Sequence, residues 1–109
     1  MKNRGRIMAI LDEIEDLSSD WRTEHIVHAL RKRVDWAYGH AEHCDLGEVL
    51  TVVGYYDWLG GLYMGLTKKE SKITSDVLDK IKDKIYSAKY LLVSDLVEML
   101  KTNCGCRSI

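Results

Sequence analysis

Proline is absent from the chain, so no pyrrolidine ring interrupts a helix anywhere along it. A basic excess is absent too: 16 lysines and arginines stand against 17 aspartates and glutamates. A general nucleic-acid footprint needs that excess, and nucleic acid is not expected as a partner. Cysteine is scarce, with three in all. Two of them, Cys104 and Cys106, sit near the chain end, whereas a secreted disulfide framework uses an even and distributed set. Met1 to Leu17 carries no signal-peptide pattern, and a cytoplasmic protein is expected. No phosphate-binding glycine loop, nucleophile elbow or dinucleotide fingerprint occurs. Repeats, linkers and low-complexity segments are lacking as well.

What remains is a chain of 109 residues with 46% apolar content, enough for one domain and one modest core. Apolar residues recur at helical spacing in four segments. The first runs from about Arg6 to Leu17, with Ile7, Ile10, Leu11, Ile14 and Leu17 on one side and Asp12, Glu13, Glu15 and Asp16 opposite. Ser18 and Ser19 offer a break and an N-cap, and Asp20 suits the first turn of the next helix. The second segment, about Asp20 to His43, carries the seam Val27, Leu30, Val34, Ala37 and Ala41. Asp45, with Glu48 three residues on, resembles a capping box. The third, about Leu46 to Leu66, has the seam Val49, Val52, Tyr56, Leu59, Tyr63 and Leu66. "TKKESK" reads as a loop. Thr74 caps a fourth segment with the seam Leu78, Ile81, Ile85, Ala88, Leu92, Leu96 and Met99, ending near Lys101, where Asn103 and Gly105 supply stop signals.

The fold class expected is all-α: an antiparallel up-down bundle of four helices, three long and one short and N-terminal. Residues 1–103 form the domain and 104–109 a short cysteine-containing tail. At 1.5 Å per residue the long helices span roughly 30–40 Å and the first only about 18 Å, so it covers half the bundle. A strand over "EVLTVVGYYDW" is the competing assignment, since valine and tyrosine favour sheets.

The stretch "GYYDWLGGLYMG" is apolar nearly all round, interrupted only by Asp57. A line of Gly47, Gly54, Gly61 and Gly65, with Trp58 among them, lies opposite the seam. Each glycine inside a helix costs about 1 kcal/mol relative to alanine. Close approach of another helix is the usual compensation. That neighbour is a second copy, another protein, or a helix of the same chain. Gly61 and Gly65 have the spacing of membrane helix pairs, with Lys68, Lys69 and Lys72 flanking. Asp57 in mid-segment argues against a membrane span.

Three smaller constellations accompany this face. The antiparallel register places Lys32 or Arg33 across from Asp57, and a buried ion pair is expected with Arg33, the nearer of the two to the core seam. On the second helix Trp21, His25, His28, Lys32, Trp36 and His43 gather opposite the seam. They read either as a binding hot spot or as tryptophans taken into the core. His40, His43 and Cys44 close the second helix at the bundle end where Cys104 and Cys106 also fall. A zinc site is conceivable there, although CGC is not a CxxC pair. No Glu-xx-His pattern supports a di-iron centre. The acids Asp12, Glu13, Glu15, Asp16, Asp76, Asp79 and Asp83 are the only candidates for a magnesium-dependent all-α nucleotide hydrolase. Interleaved lysines make solvated rows the simpler account of them.

The function expected is non-enzymatic association, as a homo-oligomer or as a regulator or inhibitor docking on another macromolecule. Its interface would comprise Gly54, Trp58, Gly61 and Gly65, with Trp21 and Trp36. No cofactor is expected, zinc excepted. The alternatives are a ligand- or nucleotide-binding helical oligomer and a Cys/His zinc-binding accessory protein.

Overall fold

Each apolar stripe becomes a helix in the computed structural model, which describes residues 2–70 and 73–108, with side chains described over 2–66 and 73–102. The helices are α1 (Arg4–Leu17), α2 (Trp21–Glu42), α3 (Leu46–Glu70) and α4 (Ser75–Ser108). No strand occurs among the described residues, so "EVLTVVGYYDW" is helical. The starts of α2, α3 and α4 are fixed by side-chain caps. Asp20 itself, rather than Ser18 or Ser19, caps α2, its Oδ1 accepting from the Arg22 amide at 2.9 Å. Asp45 accepts from the Glu48 amide at 3.2 Å, and Thr74 Oγ1 from the Val77 amide at 3.3 Å. Each cap satisfies an amide that the first helical turn leaves without a partner. Between α2 and α3 the chain reverses at Cys44, whose φ of 59° is left-handed, and the Asp45 amide donates back to the His40 carbonyl at 3.0 Å.

Two helices run on past their expected ends. α3 continues into the supposed loop as far as Glu70, because Lys68, Lys69 and Glu70 are good helix formers. α4 passes through Asn103 and Gly105 to Ser108, so the stretch taken as a tail, 104–109, continues the helix up to that residue. One glycine costs a helix only about 1 kcal/mol and does not by itself stop it.

Contacts fix an up-down-up-down order. Arg4 pairs with Asp35, and Arg31 with Asp12 and Glu15, so α1 and α2 are antiparallel. The Thr23 and Tyr63 hydroxyls share a hydrogen bond at 2.8 Å while Arg33 lies over Tyr55, which sets α2 against α3. Lys84 pairs with Glu13, and Asn3 bonds to Asp95, which sets α1 against α4. α2 and α4 pack together across the bundle, whereas α1 and α3 lie on opposite flanks of that pair. The molecule measures 50 × 22 × 18 Å, its long axis matching the ~51 Å expected of a helix as long as α4.

The core lies along the stripes. Ile7, Leu11 and Ile14 of α1, the whole α2 seam, and Ile81, Ile85, Ala88, Leu92 and Leu96 of α4 are buried. Each large aliphatic residue removed from water contributes about 1.5–3 kcal/mol. From α3, Val49, Val52, Tyr56, Leu59 and Tyr63 are buried, but Leu66, expected on the same seam, is exposed. It lies where α3 has begun to outrun the core.

α3 holds a flanking position. Among the described residues it touches α2 and α4 but not α1. It has neighbours along one side only, and its far side is open.

Candidate docking face

The open side of α3 is apolar. Leu46, Leu50, Tyr55, Trp58, Leu62 and Leu66 are all exposed, and they make up six of the eleven large hydrophobic residues exposed among the described residues. Leu50 is 63% exposed and Trp58 55%. Gly47, Gly54, Gly61 and Gly65 lie between them, all exposed. A β-carbon added at any of the four would meet no atom within 4 Å. No described helix of this chain therefore occupies the glycine line, and the intramolecular account of it is set aside. Single exposed apolar residues are normal, whereas a contiguous exposed patch of this kind is uncommon on a single soluble chain.

One glycine of the segment does serve internal packing. Gly60, outside the expected line, is buried, and a β-carbon there would sit 3.2 Å from Ile85 Cγ2. It lets α4 come close to α3. Beside it a groove of about 620 Å³ runs between the two helices, floored by Gly60, Gly61, Gly65 and Ile85 and rimmed by Asp57, Asp79, Lys82 and Lys89.

Asp57 does not pair with Arg33. Its Oδ1 lies 2.8 Å from Lys89 Nζ of α4, and both side chains are partly exposed. The α2–α3 register is close to the expected one, since Arg33 meets Tyr55, but Asp57 lies two residues further on. Two residues turn a helix by about 200°, which carries the carboxylate away from α2 and toward α4. The pair is therefore neither the expected one nor buried.

Arg33 instead joins two surfaces that the sequence presents separately. Its guanidinium lies over the Tyr55 ring at 4.1 Å and the Trp36 ring at 5.2 Å. Tyr55 contacts Trp58 with ring centroids 5.3 Å apart. Trp36 stacks on His40 at 6.0 Å. A continuous ladder of rings and one guanidinium thus runs from α2 onto the α3 face. Each cation–ring contact at an exposed site contributes about 0.5–1 kcal/mol. Trp36 is 53% exposed and Trp21 is 67% exposed, so the core placement of these tryptophans does not hold. Trp21 stands apart from the ladder, its ring 5.4 Å from the Arg22 guanidinium.

Of the residues weighed as metal ligands, His40 and Cys44 are otherwise engaged. The Trp36 indole N–H donates to His40 Nε2, and His40 Nδ1 lies 3.5 Å from Asp45 Oδ2. His43 is exposed at the end of α2. Cys44 is disulfide-bonded, and a sulfur so bonded is no thiolate ligand. The side chains of Cys104 and Cys106 lie outside the described residues. No cluster of three or more His, Cys, Asp or Glu side chains able to hold a metal occurs among the described residues. Three of the four acids of α1 are tied into the bundle surface: Asp12 and Glu15 hold Arg31, and Glu13 holds Lys84.

Asp95 was missed from the sequence. It is 2% exposed on α4 and accepts three hydrogen bonds. The Asn3 amide and the Tyr38 hydroxyl each donate to Oδ2 at 2.7 Å, and Asn3 Nδ2 donates to Oδ1 at 3.0 Å. Burial first, and then the neighbouring Asp95 carboxylate, raise the Tyr38 hydroxyl well above the ordinary tyrosine pKa. The signal was available, for Asp95 falls on the apolar stripe between Leu92 and Met99. Its role is to pin the start of α1 to α2 and α4, away from the open face.

Among the described residues no helix is long and apolar enough to cross a membrane. Set beside known proteins, the chain matches no family profile, no curated protein and no solved structure.

Proposed function

We propose that the protein works by association, covering the outer face of α3 with another protein surface and carrying out no chemistry of its own. The observation behind this reading is the glycine line. Gly47, Gly54, Gly61 and Gly65 face open space inside a helix, where each costs about 1 kcal/mol relative to alanine, and exposed leucines and Trp58 surround them. A face so costly to the isolated molecule fits a role in which another backbone comes close to it. Trp58, Tyr55 and Trp36, joined through Arg33, supply the residue types that dominate interface energetics.

The test is affinity capture from host lysate with the wild type and with Trp58→Glu as bait, where copies of the bait itself count as captured protein. Both baits must show the same helical circular dichroism. A protein retained by the wild type and lost by the variant supports the reading. Identical retention by both refutes it.

A further inference from the structure

We propose that the occupant of the α3 face is a second copy of this chain, docked antiparallel about a two-fold axis at Gly54. The inference rests on the association reading and names its partner. A two-fold interface uses the same patch on both subunits. A helix that meets its own copy must therefore present the same kinds of residue in both directions from the axis. The exposed face of α3 does so about Gly54. Leu50 and Trp58 flank it at equal distance, both large, apolar and more than half exposed. Gly47 and Gly61 come next, and then Leu46 and Leu62. The polar positions Thr51 and Asp57 mirror each other as well, while exposed Glu48 and Tyr55, toward the edge of the face, fall opposite Gly60 and Val53.

Antiparallel pairing sets Gly54 against Gly54, Gly47 against Gly61, Leu50 against Trp58, and Leu46 against Leu62. Large residues meet large ones beside the seam, and glycine meets glycine along it. Gly47, Gly54 and Gly61 recur every seven residues, the period of helices that cross at about +20° and stay in contact along their length. Glycine at each repeat allows the axes to come within the usual ~8–10 Å of packed helices, or closer. Asp57 brings no uncompensated charge, since Lys89 of its own chain holds it.

The area fits a reversible dimer. At about 200 Å² for each fully exposed large side chain, the four that the register pairs, Leu46, Leu50, Trp58 and Leu62, would bury roughly 400 Å² per copy before the glycine backbone and Tyr55 add to it, against ~800 Å² for a standard interface. An unrelated partner places no demand for symmetry on the face. A second copy does, and the symmetry is present.

The test uses two reciprocal variants of the full chain, Leu50→Lys and Trp58→Glu, with molar mass measured by sedimentation equilibrium at high micromolar concentration. Wild type is expected at twice the 12.5 kDa chain mass. Each variant alone is expected at the single-chain mass, its association weakened at least ~100-fold by a charge set against an apolar partner. An equimolar mixture of the two is expected to return to the doubled mass. In the mixed pair the introduced lysine faces the introduced glutamate, and the untouched Trp58 and Leu50 face each other. Both positions are exposed, so the fold is retained. Gly54→Arg, at a site with nothing within 4 Å, gives a second folded variant expected to be monomeric. A monomeric wild type overturns the inference but leaves capture of another protein through the same face to be decided separately. A dimeric wild type that survives Gly54→Arg, or variants that fail to restore each other, overturns the proposed register.

Discussion

Alanine at three neighbouring glycines of α3 separates the open face from the packed one. At Gly54 and Gly61 a methyl group meets nothing within 4 Å. In the monomer the substitution only improves helix propensity and reduces the freedom of the unfolded chain, a gain of about 0.5–1 kcal/mol. For a chain of this size that corresponds to a rise in melting temperature of about 2–6 °C. At Gly60 the same methyl lies 3.2 Å from Ile85 Cγ2. Ile85 is buried at the floor of the groove and must give by a few tenths of an ångström, so the propensity gain is offset by overpacking, which costs about 1–3 kcal/mol when the core does not adjust. The assay is thermal unfolding monitored by circular dichroism, on protein dilute enough to be monomeric. Gly54→Ala and Gly61→Ala should melt above wild type and Gly60→Ala at or below it. At high concentration the order of the first two should reverse, because the added methyl groups hold the paired backbones apart. If Gly54→Ala and Gly61→Ala destabilise the dilute monomer as much as Gly60→Ala does, the face is not open and the reasoning fails.

Removing the buried carboxylate with Asp95→Ala breaks three hydrogen bonds and leaves the Asn3 amide and the Tyr38 hydroxyl without this acceptor, which should cost about 2–4 kcal/mol in urea unfolding; Asp95→Asn, which keeps one oxygen, should cost less. Tyr38 and Tyr56 both have hydroxyls raised above the ordinary tyrosine pKa, chiefly by burial. Their contribution to stability is therefore complete below the unfolded value of about 10 and is lost as pH rises above it. Absorbance titration should show Tyr38 and Tyr56 ionising only as the protein unfolds. Reducing the Cys44 disulfide removes a cross-link from the chain, which should lower stability by about 2–4 kcal/mol in the presence of excess thiol. Unchanged melting in reductant would show that the bond does not constrain the chain. Asp57→Asn should cost under about 1 kcal/mol, as for an exposed ion pair; a loss of several kcal/mol would point to a buried one.

The helices were legible because apolar residues at i, i+3 and i+4 record a face, and the caps at Asp45 and Thr74 record where a helix starts. The antiparallel order came from short connections. The exposure of Gly54, Trp58, Gly61 and Gly65 was legible for a different reason: an outer face without polar residues is unusual in a surface helix, and glycine fills no core. Rotation about the helix axis was not legible for Asp57. α3 is apolar nearly all round, so no polar stripe marks which flank turns toward α2 and which toward α4, and Lys89 could not be chosen over Arg33. Trp36 was weighed for the core because tryptophan is buried on average, yet the seam of α2 is already filled by smaller residues and the indole lies outside on Arg33 and His40. That Cys44 shares a bundle end with the close of α4 is a consequence of the parallel course of α2 and α4. Whether sulfurs at one end of a bundle ligate a metal or oxidise to a disulfide depends on geometry that residue spacing does not encode. Arg33 as the link between the α2 and α3 surfaces was likewise hidden, since the ladder depends on two helices and on side-chain direction.

Hydroxyl-radical footprinting across a range of protein concentrations tests the cover of α3 most directly. Leu50, Trp58 and Leu62 should become protected as concentration rises, while Trp21 and Tyr90, exposed and remote from the proposed two-fold, keep their reactivity. Reactivity of the α3 residues that stays level with that of Tyr90 at every concentration, and also with captured partner protein bound, would contradict the account.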